Sequence, residues 1–278
     1  MEHTILTCPV CGGSLNKQER QFVCPKNHSF DVARQGYVNL LTVTQKHSKN
    51  PGDTRDMVAA RRAFLDRGHY RPIADKVASL LSPLLPEQPA FLDAGCGEGY
   101  YLSELMGHFN GGTFLGVDIS KDAVRFAAGR NKNALWLTAS AAHLPIFDGA
   151  LDGIMSMFAL SVPEEFCRVL KPGGYYLEVT AGRSHLMGLK NLIYSEITEK
   201  QEKTAKELPG FRLVSTETLC FPISLTSGEE VMQLLTMTPH FWRITRDGAQ
   251  RAAHATGLSD QTQVEFRLYQ KIASSLPI

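Results

Sequence analysis

Between residues 90 and 180 short apolar runs alternate with helical stretches, and this alternation limits the chain to a small set of folds. The runs are AFLDA (90–94), TFLGVD (113–118), ALWLTA (134–139), DGIMSMF (152–158) and GYYLEVT (174–180). Helical patterns lie between them, around 100–108, 121–129 and 163–170. Such alternation predicts parallel βαβ units, hence an α/β fold with a mostly parallel, twisted, doubly wound sheet. A long helical segment is expected over about 186–207, followed by strands at FRLVSTETL (211–219) and QVEFRLYQ (263–270). No internal repeat or low-complexity tract interrupts the pattern.

The front of the chain is organised differently. Residues 1–36 carry Cys, Gly and Pro punctuation and little helical periodicity. Residues 37–88 run from an apolar patch (Tyr37, Val38, Leu40, Leu41) into two helical faces, one with Met57, Ala60, Phe64 and Leu65, the other with Ile73, Val77, Leu80 and Leu81. Pro83, Pro86 and Pro89 then break the chain. Three units follow: a module over 1–36, a helical linker region over 37–88 and a main domain over 89–278.

Cys8-Pro-Val-Cys11-Gly-Gly and Cys24-Pro-Lys-Asn-His28 together read C-x2-C-x12-C-x3-H. Four soft or borderline ligands suit tetrahedral Zn²⁺ and leave no open position for a catalytic water, so the ion expected on Cys8, Cys11, Cys24 and His28 is structural. A module this short cannot build an adequate core, and the ion would supply folding energy. The remaining cysteines, Cys96, Cys167 and Cys220, are scattered. No secretory leader pattern opens the sequence, so a reducing, cytoplasmic setting is expected, with clustered cysteines holding metal instead of disulfides. No apolar run approaches the ~20 residues a bilayer requires, and no membrane partner is expected.

Directly after the first apolar run stands Asp93-Ala94-Gly95-Cys96-Gly97-Glu98-Gly99. Glycines there let the backbone turn sharply and approach a ligand, but a G-x-G-x-G loop alone serves both dinucleotides and sulfonium compounds. Two companions separate the cases. Asp118, ending the second run in GVDIS, is placed to accept hydrogen bonds from ribose hydroxyls. The loop also lacks the G-x-G-x-x-G spacing that seats a pyrophosphate.

With Leu144-Pro145 and Leu170-Lys171-Pro172-Gly173-Gly174 following in order, residues 90–182 resemble the class I S-adenosylmethionine-dependent methyltransferases. That resemblance implies a Rossmann-like fold, ribose binding by Asp118, and a loop from Gly95 to Gly99, headed by Asp93, lying against the methionine portion. The family's acid for the adenine amine is replaced by Ser140. The acceptor is narrowed by what is missing. No Asn/Asp-Pro-Pro-aromatic turn follows the fourth run, which reads Ser156-Met157-Phe158-Ala159-Leu160, and Cys167 sits in a helical pattern unsuited to a nucleophile.

Further motifs are FDVA (30–33), QGYVNLL (35–41), Pro51-Gly52-Asp53, ARRAFL (60–65), Gly68-His69-Tyr70, the stretch from His185 to Tyr194, and Met237-Thr238-Pro239. Together with the zinc ligands they resemble the 23S ribosomal RNA guanine-N1 methyltransferases, the large-subunit methyltransferase A family, over nearly the whole chain. The resemblance implies S-adenosylmethionine contacts at Tyr70, Gly97, Glu98 and His185. It also implies a 23S rRNA hairpin as partner, a homodimer forming the RNA cleft, and methylation at guanine N1. Leu160 stands where the family usually has proline. No residue declares itself as the acceptor of the N1 proton; His185 qualifies by type only.

Residues 1–80 hold 12 Lys and Arg against 7 Asp and Glu, and the remainder 17 against 21. A basic front end fits a polyanion, and equally a solvated charged face. Lys46, Lys49, Arg55, Arg61 and Arg62 are candidate phosphate contacts, with Tyr37 or Tyr70 near a base. Three functions compete on these grounds: an RNA methyltransferase, a small-molecule class I methyltransferase with a structural zinc knuckle, and a non-enzymatic zinc RNA-binding protein.

Overall fold

The computed structural model describes residues 5–46, 51–197 and 207–272. The chain begins with an antiparallel ribbon of β1 (Asn16–Gln18), β2 (Gln21–Val23) and β3 (Ser29–Asp31). β4 (Tyr37–Asn39) then leaves the ribbon for the edge of a larger sheet. Helices α1 (Arg55–Asp66) and α2 (Arg71–Leu81) follow, α1 starting where the Thr54 hydroxyl accepts from the Met57 N–H at 3.4 Å.

The alternating region folds as its periodicity predicts. It comprises β5 (Ala90–Ala94), α3 (Tyr100–Met106), β6 (Thr113–Asp118), α4 (Lys121–Arg130), β7 (Leu135–Thr138), β8 (Leu151–Met157), α5 (Pro163–Val169) and β9 (Leu170–Ala181). After it come α6 (Met187–Ile193), β10 (Phe211–Leu225), α7 (Gly228–Thr236), a 3-10 turn over Pro239–Trp242, α8 (Arg246–His254) and β11 (Leu258–Lys271). The eight-stranded sheet has the order β10-β11-β9-β8-β5-β6-β7-β4, and β11 alone runs antiparallel. From β5 the chain winds outward through β6 and β7, then returns to β8 on the other side of β5. That reversal opens a crevice at the carboxyl ends of β5 and β8, where doubly wound sheets bind ligands.

Side chains alternate along the strands and build one core on each face. Met155 and Leu177 join a cluster with Phe64, Tyr70, Ile73 and Trp136, beneath the helices α1 to α4. Ile154 and Tyr176 join the other, with Phe166 and Val169 of α5. Leu6, Cys8, Leu15, Phe22 and Cys24 of the ribbon belong to this second cluster, so the module has no separate core. Its first segment is also hydrogen-bonded to the main domain: the Thr7 N–H donates to the Pro145 carbonyl (2.9 Å), and the Phe147 N–H to that of Ile5 (3.1 Å).

Three expectations change in detail. The stretch assigned to a helical linker begins with β4, because Tyr37 and Val38 are buried against β7. The helix expected over 186–207 ends at Ile193. Its apolar face is used up by Leu189 and Ile193, and Tyr194 turns extended while its hydroxyl is hydrogen-bonded to His240 Nδ1 at 2.9 Å. Residues 198–206 of that expectation lie outside the described residues. The last two strands are longer than their apolar cores suggested, since they pair from Phe211↔Lys271 to Leu225↔Leu258 with one bulge between Leu213 and Ser215. Among the described residues no helix is long and apolar enough to cross a membrane.

A shared core has a measurable consequence. Removing the metal by chelation, or Cys24→Ser, is expected to lower the melting temperature of the whole chain in one transition, read by calorimetry. Two transitions with the upper one unmoved would instead show an independent module.

Candidate functional site

The metal centre comes first in the chain. The turns after Cys8 and Cys24 bring the four predicted ligand atoms within 4.8 Å of one another. The Cys11 and Cys24 sulfurs are 3.6 Å apart, and His28 Nδ1 lies 3.6 Å from the Cys8 sulfur and 3.3 Å from that of Cys24. A tetrahedron with Zn–S bonds of about 2.3 Å and Zn–N of about 2.0 Å has edges of roughly 3.5–3.8 Å. The donor set and its spacing therefore fit zinc, and with all four positions filled by protein the ion is structural.

The second site lies at the crevice. Gly95, just after β5, has a φ of 83°, and a Cβ placed there would lie 2.4 Å from that of Ala159 after β8. Only glycine allows these two loops to touch. Gly97, with φ of 53°, faces the open side: a Cβ there would meet only the Arg61 Nη1, at 3.5 Å. Its N–H donates to Asp118 Oδ2 (2.9 Å), while the Ser120 N–H donates to Oδ1 (2.8 Å). Asp118 thus shapes the loop besides facing the cleft, a task its sequence position did not reveal.

Asp93 is 1% exposed, and neither carboxylate oxygen has a hydrogen-bond partner among the described residues. Burial pushes its pKa well up, and Asp118 and Glu98 add to the effect. A buried unpaired carboxyl at the head of a ligand loop calls for a cationic or donor group. The methionine ammonium of S-adenosylmethionine meets that demand, so the chain's residues fit the cofactor. Glu98 is placed differently. Its carboxylate is held by Arg130 Nε at 2.6 Å, and Arg130 also pairs with Asp66 at 2.7 Å.

Scattered sequence motifs form the roof. Arg61 Nη1 pairs with Asp53 Oδ2 at 2.5 Å, and its Nη2 donates to the Met237 carbonyl at 3.0 Å. The Ser120 hydroxyl donates to the Asp53 carbonyl at 2.7 Å. Arg61 is therefore tied down over the glycine loop, with its charge met by Asp53, and is not a free surface cation. Arg62 pairs with Asp66. Lys49 lies outside the described residues. Tyr37 and Tyr70 are both buried and neither presents a free face to a base.

Beside the roof stand three rings. The Tyr70 ring centroid lies 6.5 Å from Phe158 and 6.3 Å from His185, and Phe158 lies 6.1 Å from His185. His185 Nδ1 accepts from the Gln263 N–H (3.3 Å), which leaves the proton on Nε2, 3.4 Å from the Tyr70 hydroxyl. Burial draws the His185 pKa down to about 4. With its Nδ1 lone pair engaged and its basicity lowered by burial, His185 is poorly suited to take the N1 proton. Phe158 and Leu186 hold left-handed backbones, with φ of 53° and 55°. Non-glycine residues rarely adopt this region, and strain of this kind collects at functional sites. Phe158 is also 41% exposed, and sequence reading overlooked it although it stands in the loop that follows β8. Ser140 caps its own turn, accepting from the Ala142 N–H at 3.2 Å.

Comparison with known proteins agrees with both sites. Residues 6–49 match the zinc-ribbon family described as the N-terminal part of RlmA, and residues 91–174 match a methyltransferase domain family. The chain is 35% identical over 92% of its length to the 23S rRNA (guanine(748)-N(1))-methyltransferase of Streptomyces fradiae, covering 93% of that protein. It is 34% identical to a Micromonospora griseorubida protein provisionally named a 23S rRNA (guanine-N(1)-)-methyltransferase, over 93% of each chain. A solved chain from the complex of the Haloferax volcanii Trm112 methyltransferase activator with a methyltransferase superposes with a TM-score of 0.51 at 19% identity, covering 81% of this chain and 100% of that one. This last likeness concerns the fold alone.

Two outcomes are expected from this geometry. Gly97→Val and Asp118→Ala should each weaken S-adenosylmethionine binding at least about tenfold, or about 1.4 kcal/mol, by titration calorimetry; unchanged affinity in folded variants would refute the cleft. For His185 the sign follows from a folded pKa near 4 against the ordinary histidine value of 6.5. Protonation favours the unfolded chain, so this group takes away stability as pH falls from 6.5 towards 4 and has no effect above. His185→Gln should flatten that part of the stability profile.

Proposed function

The chain belongs to the 23S ribosomal RNA (guanine-N1)-methyltransferase family, and from that premise we propose how its own residues carry the transfer to N1 of a 23S rRNA guanine. S-adenosylmethionine supplies the electrophilic methyl group on its sulfonium. Asp93 takes the ammonium of the methionine portion, and the backbone of Gly95 and Gly97 lies against it. Asp118 keeps a free lone pair on each oxygen for the ribose hydroxyls. Glu98 contributes through its backbone, since Arg130 holds its carboxylate. Tyr70 and His185 wall the methionine end, His185 as a neutral donor to the Tyr70 oxygen.

The guanine enters from the β8 side. Gly95 and Ala159 touch, so the turn carrying Phe158 sits directly beside the cofactor loop. The base must leave its stack to reach this turn, which is least costly in a hairpin loop. Phe158 gives the extruded ring a surface. The N1–methyl bond would form as the methyl–sulfur bond breaks, leaving a neutral thioether and passing the N1 proton to solvent water. Alignment of N1 with the methyl group would supply much of the acceleration. The single observation carrying the reading is the unpaired, buried Asp93 carboxylate one loop away from the strained, exposed Phe158 ring.

Residues 1–36 act in this proposal as an RNA-recognition module, 37–88 as the roof and linker, and 89–278 as the transferase domain. The family resemblance adds a homodimer, which light scattering would test, and a cytoplasmic location.

Mass mapping of 23S rRNA from a strain lacking this protein is expected to show one guanine without its N1 methyl group, restored on complementation. Intact methylation in that strain would return the small-molecule reading. In single-turnover assays Phe158→Asn, which tolerates the left-handed backbone, should slow methylation about 10–100-fold, as for one lost base stack. Phe158→Tyr should keep most of the rate, with cofactor affinity unchanged in both.

A further inference from the structure

The turn Pro239–Trp242 and the start of α8 read His240-Phe241-Trp242-Arg243-Ile244-Thr245-Arg246. Phe241 and Ile244 pack against the core, and His240 is hydrogen-bonded to the Tyr194 hydroxyl at 2.9 Å. These anchors fix the turn, yet Trp242 is left 65% exposed. The other tryptophan, Trp136, is 1% exposed. Arg243 and Arg246 are exposed beside it, and neither has an ion-pair partner among the described residues. Along α1, α2 and α4 the pattern is the opposite: Arg61, Arg62, Arg67, Arg71 and Arg130 each face a carboxylate. Between Met237 and Arg251 the one acid is Asp247.

The turn is also close to the reaction site. Arg61 holds the Met237 carbonyl and stands over Gly97. Trp242 follows Met237 by five residues, a stretch of at most about 17 Å even if fully extended. Nucleotides flanking an extruded guanine pass within that range.

We infer that Trp242, Arg243 and Arg246 form a second RNA-contacting surface, distinct from the zinc module. The indole stacks on an unpaired base flanking the target guanine, and the two guanidinium groups take backbone phosphates. An indole face accepts any base, and arginine pairs bidentately with phosphate. The Trp242 ring leans edge-on against Phe241, with centroids 5.4 Å apart, and is otherwise exposed beside two arginines. One such ring lacks the broad apolar surround of a protein interface, which needs about 800 Å² per partner. It suits a single base on a phosphate strand. The inference rests on the reading that the acceptor is RNA.

The test uses the zinc-loaded full chain and a 23S hairpin RNA carrying the target guanine. Trp242→Ala should weaken RNA binding about tenfold and Trp242→Phe should restore most of it. Arg243→Ala with Arg246→Ala should reduce the slope of log affinity against log salt by about 1.4, or about 0.7 per phosphate. S-adenosylmethionine affinity should stay within about twofold throughout, since none of these side chains enters the cleft. RNA affinity and salt slope unchanged in all variants, with wild-type protein methylating the hairpin, would overturn the inference alone. A change in mass by light scattering with RNA binding intact would overturn it in favour of a contact between copies of the chain. Wild-type protein that neither binds nor methylates the hairpin would overturn the RNA reading and this surface together.

Discussion

The Asp118 carboxylate holds the N–H groups of Gly97 and Ser120, and the site depends on that clasp. It fixes the end of β6 to the loop after β5, across the strands that feed the crevice. With Gly97 pinned, Gly95 presses against Ala159, so the loop after β8 takes its position from the same contact. Cofactor loop and acceptor loop are thus two ends of one close approach. Asp93 at the base of that arrangement has no hydrogen-bond partner among the described residues, which leaves room for a bound donor to complete it.

Strain is the second theme. Of the four non-glycine residues with left-handed φ among the described residues, two, Phe158 and Leu186, flank the Tyr70–His185 pair. Leu186 is buried, and the helix it precedes begins on Asp260, whose carboxylate accepts from the Gly188 and Leu189 N–H groups at 2.8 and 2.7 Å. This anchor over-determines the turn and keeps His185 oriented. Phe158 has a comparable tether, its N–H donating to the Val179 carbonyl at 2.9 Å. Rigid elements therefore support both strained positions, as a preorganised site requires.

The parts of this molecule governed by local pattern were legible in the sequence. Strand and helix alternation from 90 to 180, the four zinc ligands and the glycine loop with Asp118 all follow from spacing and residue type. Parts decided by long-range pairing were not. Arg61 looks like a surface cation until Asp53 and the Met237 carbonyl are brought to it, and Glu98 looks like a free carboxylate until Arg130 reaches it. Phe158 gave no signal of its own, because a left-handed backbone at a phenylalanine cannot be read from composition. The end of α6 depends on what its apolar face packs against, which periodicity alone does not specify.

The zinc ribbon has a more intimate place than a recognition appendage would need. Residues 144–147 are clamped between it and α5. From one side, Leu6 bridges Ile146 and the Thr7 N–H reaches the Pro145 carbonyl. From the other, Glu165 accepts from the Leu144 N–H at 2.5 Å, while Arg168 donates to the carbonyls of Leu144 (3.0 Å) and Ile146 (2.8 Å). This clamped segment continues from Ser140, whose hydroxyl accepts from the Ala142 N–H just after β7. The order of the metal centre therefore reaches, through a handful of hydrogen bonds, the loop between β7 and β8. An ion on the four ligands would help to hold that loop, because the ribbon and the sheet share one core.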